Sequence, residues 1–256
     1  MNDQKELFQL AKSLNAVETI KVSSGAISSH QHPSSHHSTQ TFRYIIVIDF
    51  EATCWAKDDQ KWKKNEIIEF PAVLINLTNG KIESEFRQYV MPIENPRLSD
   101  FCTELTGIRQ DQVDDGVPLH TCLSLFNKWM KQTVDDHMLI LPKSNPDNQT
   151  GNVALATWSD WDFGTCLSKE CTRKKINKPA YFDQWIDVRA IYKKFYQHNP
   201  ISFNDALNKL GMQFAGRPHS GLDDSRNIAR LITKMCLDGA NFVITKDLKP
   251  FELFNK

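Results

Sequence analysis

The stretch Tyr44-Ile-Ile-Val-Ile-Asp-Phe-Glu-Ala-Thr53 places two carboxylates at the end of a run of β-branched residues. The run predicts a buried strand over 44–51, and because strand side chains alternate between faces, Asp49 and Glu51 point to the same side. At roughly 4 Å and an effective dielectric near 20, two such charges repel by about 4 kcal/mol. A protonated carboxyl, a basic partner or a bound divalent cation would relieve this repulsion. The cation predicts further carboxylates elsewhere in the chain.

A second acidic position lies near the start of a helix predicted over 221–238. The apolar positions of this segment are spaced three and four apart and comprise Ile228, Leu231, Ile232, Met235 and Cys236. Extending this stripe back by one turn reaches Asp224, which is therefore predicted to face inward. Asp223 lies on the polar face and is predicted to be a solvated acid that complements the helix dipole. Taken alone, Asp224 could equally be an ordinary first-turn acid, but the strand carboxylates favour the inward position.

A further acid follows an apolar strand predicted over 153–157. It lies in the segment Ala154-Leu-Ala-Thr-Trp-Ser-Asp-Trp-Asp-Phe-Gly164, where either Asp160 or Asp162 could point at the other carboxylates. Spacing does not choose between them, because the helix predicted over 162–171 has too little apolar pattern to define an inward face. Either residue could instead cap that helix.

Together these segments resemble the three motifs of the DEDD-type 3′→5′ exonucleases. The motifs are Asp49-Phe-Glu-Ala-Thr, Asp160-Trp-Asp-Phe and His219-Ser-Gly-Leu-Asp-Asp, and the histidine five residues before the last aspartate is typical of the histidine subclass. The resemblance selects Asp162 over Asp160. It implies that the metal-binding acids are Asp49, Glu51, Asp162 and Asp224, that His219 is the general base, and that His219 and Glu51 take part directly in catalysis.

Other segments resemble the Eri-type branch of these exonucleases. They are Glu66-Ile-Ile-Glu-Phe-Pro-Ala72, Phe101-Cys-Thr-Glu-Leu-Thr-Gly-Ile108 and Leu210-Gly-Met together with Gly216-Arg-Pro-His-Ser-Gly-Leu-Asp-Asp-Ser-Arg-Asn-Ile-Ala229. The resemblance covers roughly residues 43–240. It implies a ribonuclease H-like α/β fold with a mixed sheet between two layers of helices, and RNA 3′ ends as the substrate, with DNA as a further one.

Five positions are candidates for contact with the terminal nucleotide: Phe50, Ala52, Leu105, Thr106 and Trp161. By resemblance, Leu105 and Thr106 would contact the terminal base and its 3′-hydroxyl. On sequence alone they are a helix C-terminus with Gly107 as its left-handed cap. Phe50 and Ala52 would approach through their backbone, and Trp161 would form a wall of the pocket.

Basic side chains follow the third acid and could bind phosphates or form a solvated helix face. They are Lys169, Arg173, Lys174, Lys175 and Lys178.

The residue types suit phosphodiester hydrolysis. Two divalent cations about 3.5–4 Å apart can neutralise charge on the phosphoryl oxygens, activate water and stabilise the leaving oxygen. Four carboxylates balance two Mg²⁺ ions, and hard oxygen ligands favour Mg²⁺, with Mn²⁺ as a substitute, over zinc. His219, with an ordinary pKa of about 6.5, suits the acceptance of a proton from water.

Composition indicates a soluble enzyme. The chain has 256 residues, 40% of them hydrophobic, enough for one sizeable core, and no apolar run long enough to span a membrane. Its formal net charge is zero, so it lacks the overall basic character of a non-specific nucleic-acid binder. The six cysteines lack zinc-site spacing and no signal peptide precedes them, which predicts reduced thiols in the cytosol or nucleus.

The domain organisation follows from the pattern. Residues 1–40 are predicted to be a largely disordered extension rich in Ser and His, 41–245 the exonuclease domain and 246–256 a tail. Alternating strands and helices indicate an α/β layer fold. The remaining predictions are strands near 67–77 and 81–90, helices near 99–106, 118–132, 187–196 and 203–210, and a loop containing one short strand at 135–152.

The sequence therefore predicts a divalent-metal-dependent 3′→5′ exonuclease that releases nucleoside 5′-monophosphates from RNA. One alternative is a DNA-preferring 3′ exonuclease, since no active-site residue clearly demands a 2′-hydroxyl. A second is a catalytically silent nucleic-acid-binding module on the same fold. That module would be expected to lack at least one of the predicted metal ligands.

Overall fold

A mixed β-sheet with helices against both faces forms the part of the chain that this computed structural model describes, residues 40–56, 64–142 and 151–248. The strands are β1 (Tyr44–Val47), β2 (Glu51–Ala52), β3 (Ile67–Asn76), β4 (Lys81–Tyr89), β5 (Val153–Thr157), β6 (Gln184–Asp187) and β7 (Lys246–Asp247). Residues 1–39 of the predicted extension, part of the predicted loop at 135–152 and most of the predicted tail lie outside the described residues.

The order of the strands brings two chain segments to one edge of the sheet. Strands β4, β3 and β1 are antiparallel, β1, β5 and β6 are parallel, and β7 is antiparallel to β6. Because β1 and β5 are parallel neighbours, their carboxyl ends lie side by side. The residues that follow them, among them Asp49 and Asp162, therefore meet at that edge.

The strand predicted over 44–51 is interrupted, which corrects the expectation of one continuous element. The N–H of Ile48 still bonds to the carbonyl of Ala156 at 2.9 Å. The N–H of Phe50 instead donates to the Oδ1 atom of Asp162 at 2.9 Å. Since this donor goes to a carboxylate and not to a neighbouring strand, the ladder breaks, and β2 resumes at Glu51 opposite Glu69 with an irregular register.

The helices are α1 (Asp100–Thr106), α2 (Gln110–Asp114), α3 (Leu119–His137), α4 (Ser168–Lys174), α5 (Val188–Tyr196), α6 (Phe203–Lys209) and α7 (Gly221–Leu237). A π-helical segment, Trp161–Leu167, runs directly into α4, and a 3₁₀ turn, Ala180–Asp183, precedes β6. Alternate residues of β1 enter different cores. Ile46 packs with α3 and the π-helical segment, and Ile45 and Val47 pack with α5, α6 and α7. The predicted α/β sheet with helices on both sides is confirmed.

Helix α3 is longer than the sequence pattern predicts. It continues past 132 to His137 and ends at Met138, which is left-handed with φ 51°. Thr133 is buried and Val134 packs against the core, so the last turn has an inward face. This face is not apparent from the sequence, because residues 135–137 are polar. The short strand predicted inside 135–152 is absent from the described parts of that range.

Two short elements, β6 and α2, were not predicted, because four or five residues are too few to show a periodic pattern. All six cysteines are free thiols. In the described ranges, no helix combines the length and the apolar character that crossing a membrane requires.

Candidate active site

Four carboxylates from separate elements converge at the carboxyl edge of β1 and β5. Asp49 follows β1, Glu51 opens β2, Asp162 lies in the π-helical segment and Asp224 lies in the first turn of α7. The pKa of Asp49 is raised well above its usual range, first by burial and then by the negative charges of Asp162, Asp224 and Glu51. The structure thus brings together all four acids that the motifs predict.

The pKa values of the other three acids are also raised. Burial, with Asp224 and other nearby acids, raises the pKa of Glu51 to about 9. Burial raises the pKa of Asp162 to about 7, although the N–H of Phe50 opposes the rise. Burial also raises the pKa of Asp224 to about 7, against the opposing N–H groups of His219 and Ser220. The four acids therefore disfavour one another's ionised forms, and a cation between them would favour those forms.

The structure separates the two acids that spacing alone could not. Asp162 is 3% exposed and faces the other carboxylates. Asp160 points away, pairing with Lys246 at 2.8 Å and accepting a hydrogen bond from the indole of Trp185 at 3.1 Å. Asp162 is therefore the inward acid.

The carboxylates fit a divalent cation better than an internal ion pair. Among the described residues, no ion pair involves any of the four. One oxygen of Asp224, Oδ2, is buried without a hydrogen-bond partner. In the same ranges, no group of three His, Cys, Asp or Glu side chains is arranged so that it could hold a metal ion as it stands. Binding would thus draw the acids together, with the partnerless Asp224 oxygen as an available ligand.

A fifth acid, Glu69, lies beneath this group and was given no role by the sequence analysis. It is fully buried, stands opposite Glu51 across β2 and β3, and contributes to the raised pKa of Asp49 and of Glu51. Unlike the other four it has a basic partner, Arg87 at 2.8 Å. A charged residue within the otherwise apolar run of β3 is the signal that could have identified it.

His219 lies at the mouth of the site. It is exposed, and its backbone is left-handed with φ 61°, in the tight turn that precedes α7. Burial of its ring and the positive charge of Arg217 lower its pKa from 6.5. The imidazole is therefore neutral near pH 7, the form that can accept a proton.

Arg217 links this turn to α1, a contact that the sequence did not predict. Its guanidinium donates to the carbonyl of Glu104 at 2.9 Å and packs directly over Gly107. A Cβ atom at Gly107 would lie 1.7 Å from Arg217, so the bare left-handed glycine makes the contact possible. The end of α1 and the His219 turn are thereby held together.

The predicted nucleotide contacts on β2 are largely buried. The ring of Phe50 packs against Phe70 with centroids 4.6 Å apart, and its N–H is already used by Asp162. Ala52 is 7% exposed. The N–H of Phe50 is therefore not available to a substrate.

The predicted contacts on α1 differ from each other. Gly107 caps α1 in the left-handed conformation, as the sequence alone predicts. The hydroxyl of Thr106 donates to Cys102 and accepts from the N–H of Ile108, and the residue is 2% exposed. Leu105 is half-buried, which leaves it the more accessible candidate.

Trp161 is 40% exposed and stands between two surface grooves beside Asp162. This position is compatible with the predicted pocket wall.

The basic cluster is mostly committed to ion pairs, which corrects the idea that it could follow phosphates as a group. Lys174 is buried between Glu66 and Glu170, Arg173 pairs with Glu94, and Lys178 pairs with Asp183. Lys169 and Lys175 remain exposed. Lys169 lines the open groove beside Trp161, so it is the cation of this cluster best placed for a phosphate.

Comparisons with known proteins identify the family of the chain. The model of the exonuclease family matches residues 46–232. The chain is 52% identical to the 3′-5′ exonuclease Snipper of Drosophila melanogaster, over 99% of this chain and 89% of that protein. It is 51% identical to human ERI1 exoribonuclease 2, over 82% of this chain but only 31% of that protein.

Solved structures show the same relationship. The nuclease domain of 3′hExo, a DEDDh family member bound to rAMP, matches with a TM-score of 0.71 and 38% identity, over 81% of this chain and 98% of that one. A 3′-exonuclease that recognises the histone mRNA stem-loop matches with a TM-score of 0.71 and 37% identity, over 81% of this chain and 87% of that one. The ribonuclease H-like fold is confirmed, and metal dependence is typical of this family. The chain belongs to the exonuclease family, as a 3′→5′ exonuclease of the DEDDh type.

Proposed function

We propose that the protein removes nucleoside 5′-monophosphates one at a time from the 3′ ends of RNA, with two Mg²⁺ ions held by Asp49, Glu51, Asp162 and Asp224. Mn²⁺ would substitute, because it accepts the same oxygen ligands. The observation that carries the proposal is the group of four close carboxylates without a basic partner among the described residues, next to an exposed neutral histidine. Such a group is unfavourable in a purely structural role.

The four acids would act by holding the cations, because no basic side chain among the described residues pairs with them. When bound, the two cations supply charge neutralisation at the phosphoryl group and activation of water. Asp162 is fixed by the N–H of Phe50, whereas Oδ2 of Asp224 is left without a partner. Asp162 would therefore be a preset ligand and Asp224 the ligand that gains most from the metal.

His219 would accept the proton of the attacking water. Its exposure and its position directly ahead of α7, the helix that carries Asp224, support this role. Because its pKa is lowered, the neutral form predominates at pH 7. The proton then leaves to solvent from the exposed ring.

The proposed substrate is RNA, with DNA degraded as a second polymer. Snipper and the ERI1 exoribonucleases are named as exonucleases, and the 3′hExo domain binds rAMP. Leu105 and Trp161 would contact the terminal nucleotide, because they are the predicted contacts with accessible side chains. A cytosolic or nuclear location stays a prediction.

The test is a degradation assay on single-stranded RNA and DNA of equal sequence, labelled at the 5′ end, in Mg²⁺ or in EDTA. We expect a ladder shortening from the 3′ end in Mg²⁺ only. Asp162→Asn should abolish it. Asp160→Asn is the matched control, because it changes an acid two residues away that points outward to Lys246.

Four results would contradict the proposal. Shortening in EDTA would exclude a metal-dependent reaction. Equal loss of activity in Asp160→Asn and Asp162→Asn would exclude a specific role of the inward acid. Metal-dependent DNA degradation much faster than RNA degradation would favour the DNA-preferring alternative, and binding without any shortening would favour the silent module.

A further inference from the structure

Glu69 is the buried acid under the site that has a basic partner, Arg87. It also binds the start of α7, the helix that carries Asp224. Its Oε2 atom accepts the N–H of Gly221 at 3.0 Å, and its Oε1 atom accepts the N–H of Leu222 at 3.4 Å. Both N–H groups belong to the first turn of α7, where they have no acceptor within the helix itself. The carboxylate therefore replaces a side-chain cap, which Ser220 does not supply.

The contact fixes the start of α7 between His219 and Asp224. Gly221 is two residues after His219 and three before Asp224. A Cβ atom at Gly221 would lie 2.6 Å from the backbone oxygen of Asp49, so this turn also presses against the end of β1. A shift of the first turn would move Asp224 and His219 relative to Asp49.

Arg87 compensates the negative charge of Glu69. Its Nε atom donates to Oε1 of Glu69 at 2.8 Å, and its guanidinium also donates to the hydroxyl of Tyr89. Without a cation, a fifth buried carboxylate opposite Glu51 would add to the repulsion that the site already carries. With Arg87 beside it, Glu69 acts as an acceptor for three donors.

We infer that Glu69, neutralised by Arg87, is a positioning residue for catalysis: it holds the first turn of α7 so that Asp224 and His219 stay in register with Asp49, and it does not itself bind metal. This inference rests on the proposed function for its catalytic readout. Both carboxylate oxygens of Glu69 already accept hydrogen bonds from α7 or β4, whereas the Oδ2 atom of Asp224 has no partner.

The test compares Glu69→Gln with Glu85→Gln in the full chain. Glu85 is the matched control, because it too is an acid of the sheet bound to α7, in its case through Arg226, five residues beyond Gly221. A glutamine at 69 keeps the shape and places an NH₂ group where one donor now points. We expect kcat on RNA at saturating Mg²⁺ to fall at least 10-fold, with KM changed less than 3-fold, in Glu69→Gln only.

A second measurement does not depend on activity. In the protein kept in EDTA, amide hydrogen exchange at Gly221 and Leu222, followed by NMR, should accelerate at least 10-fold in Glu69→Gln and stay unchanged in Glu85→Gln. Arg87→Lys, which retains the cation, should restore most of the kcat lost in Arg87→Ala.

Each contrary result overturns the inference in a different way. Unchanged amide exchange would show that Glu69 does not hold α7. Losses of kcat that follow the fall in melting temperature equally in both glutamine variants would show a merely structural role. Recovery of wild-type kcat in Glu69→Gln at 10-fold higher Mg²⁺ would make Glu69 a metal ligand. If wild-type protein is inactive, the proposed function fails, while the exchange data still test the contact.

Discussion

At the scale of single residues, the raised pKa values of the site link its charge to the stability of the fold. Asp162 and Asp224 have a pKa of about 7 in the folded protein, against an ordinary value of 3.8, and Glu51 has one of about 9. The folded state thus binds more protons than the unfolded chain between about pH 4 and 9. Stability contributed in this way is present at low pH and is lost as pH rises through the folded values.

We therefore predict that the free energy of unfolding in EDTA decreases from pH 5 to pH 9, with a melting temperature lower by several degrees at pH 9. Mg²⁺ should reduce this slope, and so should Asp224→Asn, which removes one titrating group. Thermal unfolding followed by circular dichroism at pH 5, 7 and 9 is the measurement. A melting temperature in EDTA that rises with pH would contradict it.

His219 and Arg217 give a prediction about the pH dependence of catalysis. Because burial and then the charge of Arg217 lower the pKa of His219, the acid limb of kcat/KM should lie below pH 6.5 in the wild type. Arg217→Ala should move this limb to higher pH. Arg230→Ala, which removes a cation from the other side of α7, should leave it in place.

His219→Ala should lower kcat by about 10²–10⁴-fold, the usual range for a general base. The melting temperature should hardly change, since the ring is exposed. Initial rates across pH 5 to 9 test both expectations. A wild-type limb above pH 7, or an active His219→Ala, would exclude His219 as the base.

At the scale of secondary-structure elements, the close approach of α7 to β1 depends on Gly221. Gly221→Ala would place a methyl group 2.6 Å from the backbone oxygen of Asp49 and 3.0 Å from Pro71. We predict a loss of activity and a loss of stability of about 1–3 kcal/mol, the cost typical of overpacking. Gly164→Ala, whose added methyl would meet Trp185 at an ordinary 3.5 Å, is the control and should be stable. Urea unfolding and the RNA assay measure the two effects, and an active Gly221→Ala would refute the close-contact argument.

Helix α4 carries two lysines with opposite expected roles. Lys174 neutralises Glu66 and Glu170, both fully buried, so Lys174→Ala should destabilise the fold by about 3–5 kcal/mol. Lys169→Ala should leave stability unchanged and weaken RNA binding, with a smaller dependence of affinity on salt. Urea unfolding and binding at 50 and 200 mM salt distinguish them. A stable Lys174→Ala with weakened RNA binding would restore the phosphate role that the ion pairs argue against.

At the scale of the whole molecule, the sequence predicts features that follow from hydrophobic periodicity. It does not predict features that depend on contacts between distant residues. Asp49 and Asp224 follow from periodic patterns, and burial confirms both the stripe of α7 and the α/β layers. Asp162 could not be chosen over Asp160 by spacing, because its segment is π-helical and the 3.6-residue period does not apply. Its identification needed the family resemblance.

Long-range contacts account for the remaining differences. The break in the first strand arises because a carboxylate 112 residues away takes the N–H of Phe50. The roles of Glu69 and Arg217 likewise come from partners far along the chain, at Gly221 and Glu104. Hydrophobic periodicity within a short window cannot predict such long-range pairs. The four acids themselves were predictable because each stands within a short motif.

The central claim, that this carboxylate group hydrolyses the terminal phosphodiester of RNA from the 3′ end, is tested most directly by the chemical identity of the product. Wild-type protein and Asp49→Asn would be incubated with RNA and Mg²⁺ in water enriched in ¹⁸O, and the released nucleotide would be analysed by mass spectrometry. We predict nucleoside 5′-monophosphates carrying one solvent oxygen on phosphorus, formed by the wild type only. Nucleoside 3′-phosphates or cyclic phosphates, or equal release by Asp49→Asn, would contradict the account.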